Sequence, residues 1–162
     1  MNRQLTWSMK LDGKRLQLDY TVTNHTKTSI QLVDRLLWQR EANPDVIIVR
    51  DDTSPHTIAF TRAFVETDEK MLETPYPTVR VLDPGASVEG RAFAPWPPTA
   101  WHNFSRVEAL KPGATHAVLE IGYIDAPGSK LEPIQLPSGV VYTASGFDQQ
   151  KLLRGDPRPL PK

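Results

Sequence analysis

The chain has 162 residues, with 19 Lys and Arg against 19 Asp and Glu, so its formal net charge is zero and its pI is about 6.9. That balance gives no electrostatic pull toward a phosphate backbone or an anionic membrane, and nucleic acid is not an expected partner. Cysteine is absent, which removes disulfides, thiolate nucleophiles and cysteine-bound metals together and leaves packing alone to hold the fold.

The length suits one domain with one core. No apolar run approaches the roughly 20 residues of a membrane span, and Met1-Asn2-Arg3-Gln4 does not open a signal peptide. The expectation is a soluble protein without membrane insertion, cytoplasmic if the chain is complete and periplasmic or extracellular if a signal has been removed. Fifteen prolines disfavour long helices and suit short strands joined by stiff turns.

The first element is a hairpin. Leu5, Trp7, Met9 and Leu11 alternate with polar residues, and so do Leu16, Leu18, Tyr20 and Val22. Between them Asp12-Gly13 is a favoured two-residue turn, which would pair Leu11 with Lys14, Met9 with Leu16 and Trp7 with Leu18. Ile30 to Trp38 begins with the same alternation and then breaks it at Val33, Asp34 and Arg35, as a bulged strand or a short helix would. Val46 to Val49 and Ile58 to Phe64 read as strands joined by the turn-forming Arg50-Asp51-Asp52-Thr53-Ser54-Pro55.

Thr74-Pro75-Tyr76-Pro77 marks a loop, because proline removes ladder donors. Val79 to Leu82 and Ser87 to Ala94 flank the turn Asp83-Pro84-Gly85. Ala94 to Phe104 holds three prolines and is expected as an ordered surface loop. Ala117, Leu119, Ile121 and Tyr123 alternate, and Val140, Tyr142 and Ala144 form a last strand. The pattern then fades, so residues 1–148 are expected as the domain and 149–162 as a Pro-rich C-terminal tail. The fold class that follows is all-β, a two-sheet antiparallel sandwich of about 7–9 strands, with a closed barrel as the alternative.

Leu110-Lys111-Pro112-Gly113, followed by Ala114-Thr115-His116, resembles the stretch leading into the sixth strand of fibronectin type III and related immunoglobulin-like domains. His116 stands where those domains carry a tyrosine. Tyr20-Thr21-Val22-Thr23-Asn24 is similar to the second strand of bacterial immunoglobulin-like domains. The resemblance implies a fold and carries no activity with it.

Catalytic chemistry has little to build on. His25, His56, His102 and His116 sit in no nucleophile elbow, no glycine-rich loop opens a helix, and no catalytic residue, metal or other cofactor is expected. Asp34, Asp45, Asp51 and Asp52 could converge on calcium, but they lack the spacing of a calcium loop. Asn24-His25-Thr26, Asn103-Phe104-Ser105 and Arg154-Gly155-Asp156 match short glycosylation and integrin-type motifs that arise readily by chance. The candidate binding residues are Trp96, Trp101, His102 and Phe104, since exposed indoles are costly unless they plug the sandwich or meet a partner. The expected function is a non-catalytic interaction or assembly module with a protein partner, acting through an edge strand or this loop. Small-ligand binding, for example a sugar stacked on an indole, is the alternative, with a hydrolase third.

Overall fold

The computed structural model describes residues 3–38, 41–43, 47–65, 76–98, 110–125 and 129–162. In chain order the strands are β1 (Arg3–Asp12), β2 (Arg15–Asn24), β3 (Ile30–Trp38), β4 (Glu41–Asn43), β5 (Ile48–Asp51), β6 (Thr57–Arg62) and β7 (Tyr76–Leu82). They continue with β8 (Ser87–Pro95), β9 (His116–Asp125), β10 (Leu131–Leu136), β11 (Gly139–Ala144), β12 (Lys151–Arg154) and β13 (Arg158–Pro159). The one helical turn among the described residues is the short 3-10 segment Phe147–Gln149.

The expected all-β class holds. One sheet is β1-β2-β8. Facing it is a larger sheet in which β9 is central, flanked by β3 and β6 on one side and by β12 and β13 on the other, with β5, β7 and β4 further out. The core lies between them, where Leu16, Leu18 and Val22 of β2 and Ala92 of β8 meet Leu32, Phe60, Leu119 and Ile121, all essentially inaccessible to water. Burying each large side chain of this kind contributes about 1.5–3 kcal/mol. A smaller cluster, with Val33, Leu36, Val79 and Ile124 at its centre, covers part of the outer face of the larger sheet near the β10-β11 hairpin.

Four details differ from expectation. The first hairpin turns at Gly13-Lys14, so Asp12 pairs with Arg15, Trp7 with Tyr20 and Met9 with Leu18. Gly13 has φ +63° and Lys14 is not in the left-handed region, the arrangement of a type II′ turn, which asks for glycine at the first central position. An Asp12–Arg15 ion pair at 3.2 Å closes it. Moving the turn by one residue shifts each partner by two, and the apolar face is therefore the one expected.

Strands number thirteen among the described residues rather than 7–9, and the β10-β11 hairpin is a third sheet beside the two expected. Proline hid two of them, with Pro133 inside β10 and Pro159 inside β13, and it hid the start of a third: Tyr76 and Pro77, expected in a loop, open β7. Nor are the sheets purely antiparallel, since β6 runs parallel to β9, pairing Thr57–Arg62 with His116–Ile121. The break at Val33-Asp34-Arg35 is a bulge in the β3-β7 ladder.

The segment expected as a tail docks on the sheet. Lys151–Arg154 and Arg158–Pro159 pair with β9, and the Gln150 side chain accepts the Phe64 N–H (2.8 Å) while donating to the Phe64 carbonyl (2.9 Å), in the manner of a neighbouring strand. The Trp7 indole N–H donates to the Asp156 carbonyl at 2.7 Å. Leu153 and Leu160 pack on the core.

Candidate functional site

The feature that stands out is the outer edge of β1. A two-residue loop makes Asp12 and Arg15 the hydrogen-bonded pair, and from there bonded and unbonded pairs alternate along the ladder. Even-numbered residues of β1 therefore spend their main-chain groups on β2. The N–H and C=O of Leu5, Trp7, Met9 and Leu11 point away from it, and no strand among the described residues pairs with this side.

Most other edges are defended, the six-residue β11 apart. On β8 the outward carbonyl of Arg91 is taken by the buried Arg62 guanidinium (3.0 Å), and the strand ends at Pro95. Strands β10 and β13 carry prolines, and β4, β5 and β12 are four residues or shorter. These are the usual means of blunting a sheet edge. Strand β1 has none of them: ten consecutive pairs with β2, no proline, no bulge, and Lys10 as the only charge between its terminal residues. Along its length Leu5 and Met9 are half-buried and Leu11 is 44% exposed, an apolar margin left open to solvent.

The outward face of the same three-stranded sheet is polar. Thr6, Thr21 and Glu89 form one cross-strand row and Ser8, Asp19 and Arg91 the next, lining a shallow trough. Within it Arg91 Nε donates to Asp19 at 2.6 Å, and Gln17 donates to the same carboxylate at 2.7 Å.

Of the sequence-predicted binding residues, Trp96 alone lies among the described residues. Trp96 is half-buried, packs against the core and donates its main-chain N–H to the Lys14 carbonyl at 3.0 Å, fastening the end of β8 to the first turn. Its bond to Pro97 is cis. Trp101, His102 and Phe104 lie outside the described residues, as do Asp45 and Asn103.

Of the other histidines, His25 Nε2 lies 3.4 Å from Gln4 Oε1 and His116 Nδ1 lies 2.8 Å from the Thr115 hydroxyl. His56, at φ +54°, uses its carbonyl to accept the N–H groups of Thr115 and His116 (2.8 and 3.2 Å), joining the β5-β6 turn to the Leu110-Lys111-Pro112-Gly113 turn. Asp51 accepts the Lys111 N–H at 3.0 Å across the same junction.

The aspartates considered for calcium are dispersed. Asp34 lies 3.8 Å from the Arg80 guanidinium, and Asp52 receives Arg154 Nη1 at 2.9 Å. Arg154 also reaches Glu120 (3.2 Å), a carboxylate 7% exposed that accepts from Arg50 (3.0 Å) and the Thr61 hydroxyl (2.9 Å) as well. The Arg154-Gly155-Asp156 motif is thus part of the framework. Likewise Asn24, first residue of a sequon, is fully buried, donating to the Thr28 and Leu82 carbonyls and accepting from Thr26.

The Arg154 hydrogen bonds, opposed by burial and helped by the Ser54 N–H, hold the Asp52 carboxyl down to about 2. Because the folded pKa is depressed, the stabilisation is complete above about pH 4 and is lost as pH falls through about 2. With Arg154 39% exposed, solvent screening reduces it to about 1–2 kcal/mol. Asp52→Asn is expected to lower stability at pH 7 by that amount and to flatten the acid limb between about pH 4 and 2, as urea melts at stepped pH will show. An acid limb identical to wild type would mean the pair contributes nothing.

Compared with known protein families, curated proteins and solved structures, the chain matches none.

Proposed function

We propose that the protein is a non-catalytic, immunoglobulin-like interaction module that takes its partner by strand addition along β1. The observation that carries this reading is the length of the β1 edge: β1 runs for ten regularly paired residues with an apolar margin, while β8 is capped at Arg91, β10 and β13 hold prolines, β4, β5 and β12 are four residues or shorter, and the open edge of β11 is only six residues long. An extended partner laid against it would satisfy the outward main-chain groups of alternate residues and cover Leu5, Met9 and Leu11. The placement of Leu110-Lys111-Pro112-Gly113 just ahead of the central strand β9 supports the immunoglobulin-like part of the reading. The parallel β6-β9 pairing is a departure from it.

The test uses proline at a position whose N–H faces outward. Leu11 is exposed and its amide is not needed by β2, so Leu11→Pro removes an edge donor at little cost to the domain. Affinity capture with the intact chain should recover a partner that Leu11→Pro binds about tenfold more weakly, the scale of one unmade hydrogen bond, roughly 1–1.5 kcal/mol. Circular dichroism should show both chains folded. Equal recovery by the two would remove β1 as the docking edge.

A further inference from the structure

Resting on that reading, we infer that the partner strand is the β1 of a second copy of this chain, the two joined antiparallel about a two-fold axis through Ser8. In an antiparallel pair, residues directly opposite point to the same face, so any self-pairing must set inward residues against inward ones. The inward set Leu5, Trp7, Met9 and Leu11 is symmetric about position 8, and so is the outward set Gln4, Thr6, Ser8, Lys10 and Asp12. With the axis at Ser8, Leu5 faces Leu11 of the second copy and Trp7 faces Met9.

Every other register is poorer. Placing the axis at Trp7 sets that indole against itself and puts Leu11 opposite Arg3. An axis between two residues sets polar side chains against apolar ones. Only the register centred on Ser8 puts all four apolar residues opposite one another.

Main-chain chemistry agrees with side-chain chemistry. The residues brought opposite each other as Leu5–Leu11 and Trp7–Met9 are the odd-numbered ones, whose N–H and C=O already face outward, so the two copies would exchange roughly eight hydrogen bonds. The two three-stranded sheets would become one continuous sheet. Along the outward face the pairs are Gln4 with Asp12, Thr6 with Lys10, and Ser8 with Ser8, so no like charges meet. A chain of zero net charge meets no overall repulsion on self-association. An isologous two-fold contact of this kind closes after two copies, and no strand edge at the junction remains for further growth.

Thr6 facing Lys10 supplies a test whose sign depends on the register. Thr6→Glu would place two symmetry-related Glu–Lys pairs across the junction, and Thr6→Lys two Lys–Lys pairs. Sedimentation equilibrium of the full chain, from micromolar to near-millimolar, is expected to show a monomer–dimer equilibrium that Thr6→Glu tightens about fivefold and Thr6→Lys weakens about fivefold. Adding Lys10→Glu to Thr6→Lys should restore the dimer. Thermal melts establish that each variant is folded.

A chain that stays monomeric throughout, or a dimer indifferent to the sign of the charge at residue 6, overturns the inference. If capture of a different protein is nevertheless lost with Leu11→Pro, strand addition at β1 stands and the second copy alone is wrong. If neither dimer nor Leu11-dependent capture is found, both fall.

Discussion

Arg62→Ala is expected to be among the most damaging single substitutions in the chain, destabilising it by about 3–5 kcal/mol, the cost of dismantling a buried, hydrogen-bonded charge. Arg62 is 2% exposed at the end of β6. Its Nη1 donates to the Tyr20 hydroxyl at 2.9 Å and to the Asp34 carbonyl at 3.3 Å, and its Nη2 to the Arg91 carbonyl at 3.0 Å. One side chain thus ties the larger sheet to two strands of the smaller one and fills the acceptors of a bulge and of a sheet edge. Alanine leaves a void and strands those carbonyls. Arg62→Lys keeps the charge but cannot span three acceptors with one ammonium, and recovery of less than half the loss is expected. Urea denaturation with an unchanged slope is the measurement, and a loss under 1 kcal/mol for Arg62→Ala would show that water replaces the guanidinium without penalty.

Gly90→Ala is expected to cost about 1–3 kcal/mol by overpacking. Gly90 is the cross-strand partner of Tyr20 on the inner face, and a Cβ there would sit 2.1 Å from Tyr20 Cζ and 2.4 Å from its hydroxyl oxygen. The phenol crosses β8 through the space that glycine leaves in order to reach Arg62. Any side chain at 90 displaces the ring and breaks the Tyr20–Arg62 hydrogen bond. The two substitutions act on one contact, so Gly90→Ala combined with Arg62→Ala should fall short of the sum by about 1 kcal/mol or more, as a double-mutant cycle can resolve. Strict additivity would separate the glycine's role from the arginine's.

The smaller sheet was legible in the sequence because β1 and β2 follow one rule: alternate positions are apolar and face the core, and a glycine turn closes them. Strand β9 was legible for the same reason. What escaped was structure made by the main chain. Strands β10, β12 and β13 are short, two of them hold prolines, and their pairing leaves no periodic mark in the side chains. Gln150 stands in for a strand through its side-chain amide, which no pattern of hydrophobicity could announce.

The candidate site was legible in kind and only partly in place. An edge strand was among the expected modes of action, but choosing β1 required knowing which edges Arg62, Pro95 and Pro133 defend. Trp96 drew notice because an indole among prolines is conspicuous, whereas its packing against the core depends on the Lys14 carbonyl that holds it. Arg62 itself gave no signal, since an arginine after Thr57-Ile58-Ala59-Phe60-Thr61 reads as the solvent end of a strand.

The central place of β9 orders the assembly of the molecule. Strands β3 and β6 precede it by more than 50 residues and β12 and β13 follow it, and all four use it as their partner. During synthesis the larger sheet has no spine until residues 116–125 have left the ribosome, while the local hairpin of β1 and β2 closes early. For most of that interval the β1-β2 hairpin waits for the strands that pack on it, so the last part of the chain to be made completes the body that the first two strands need.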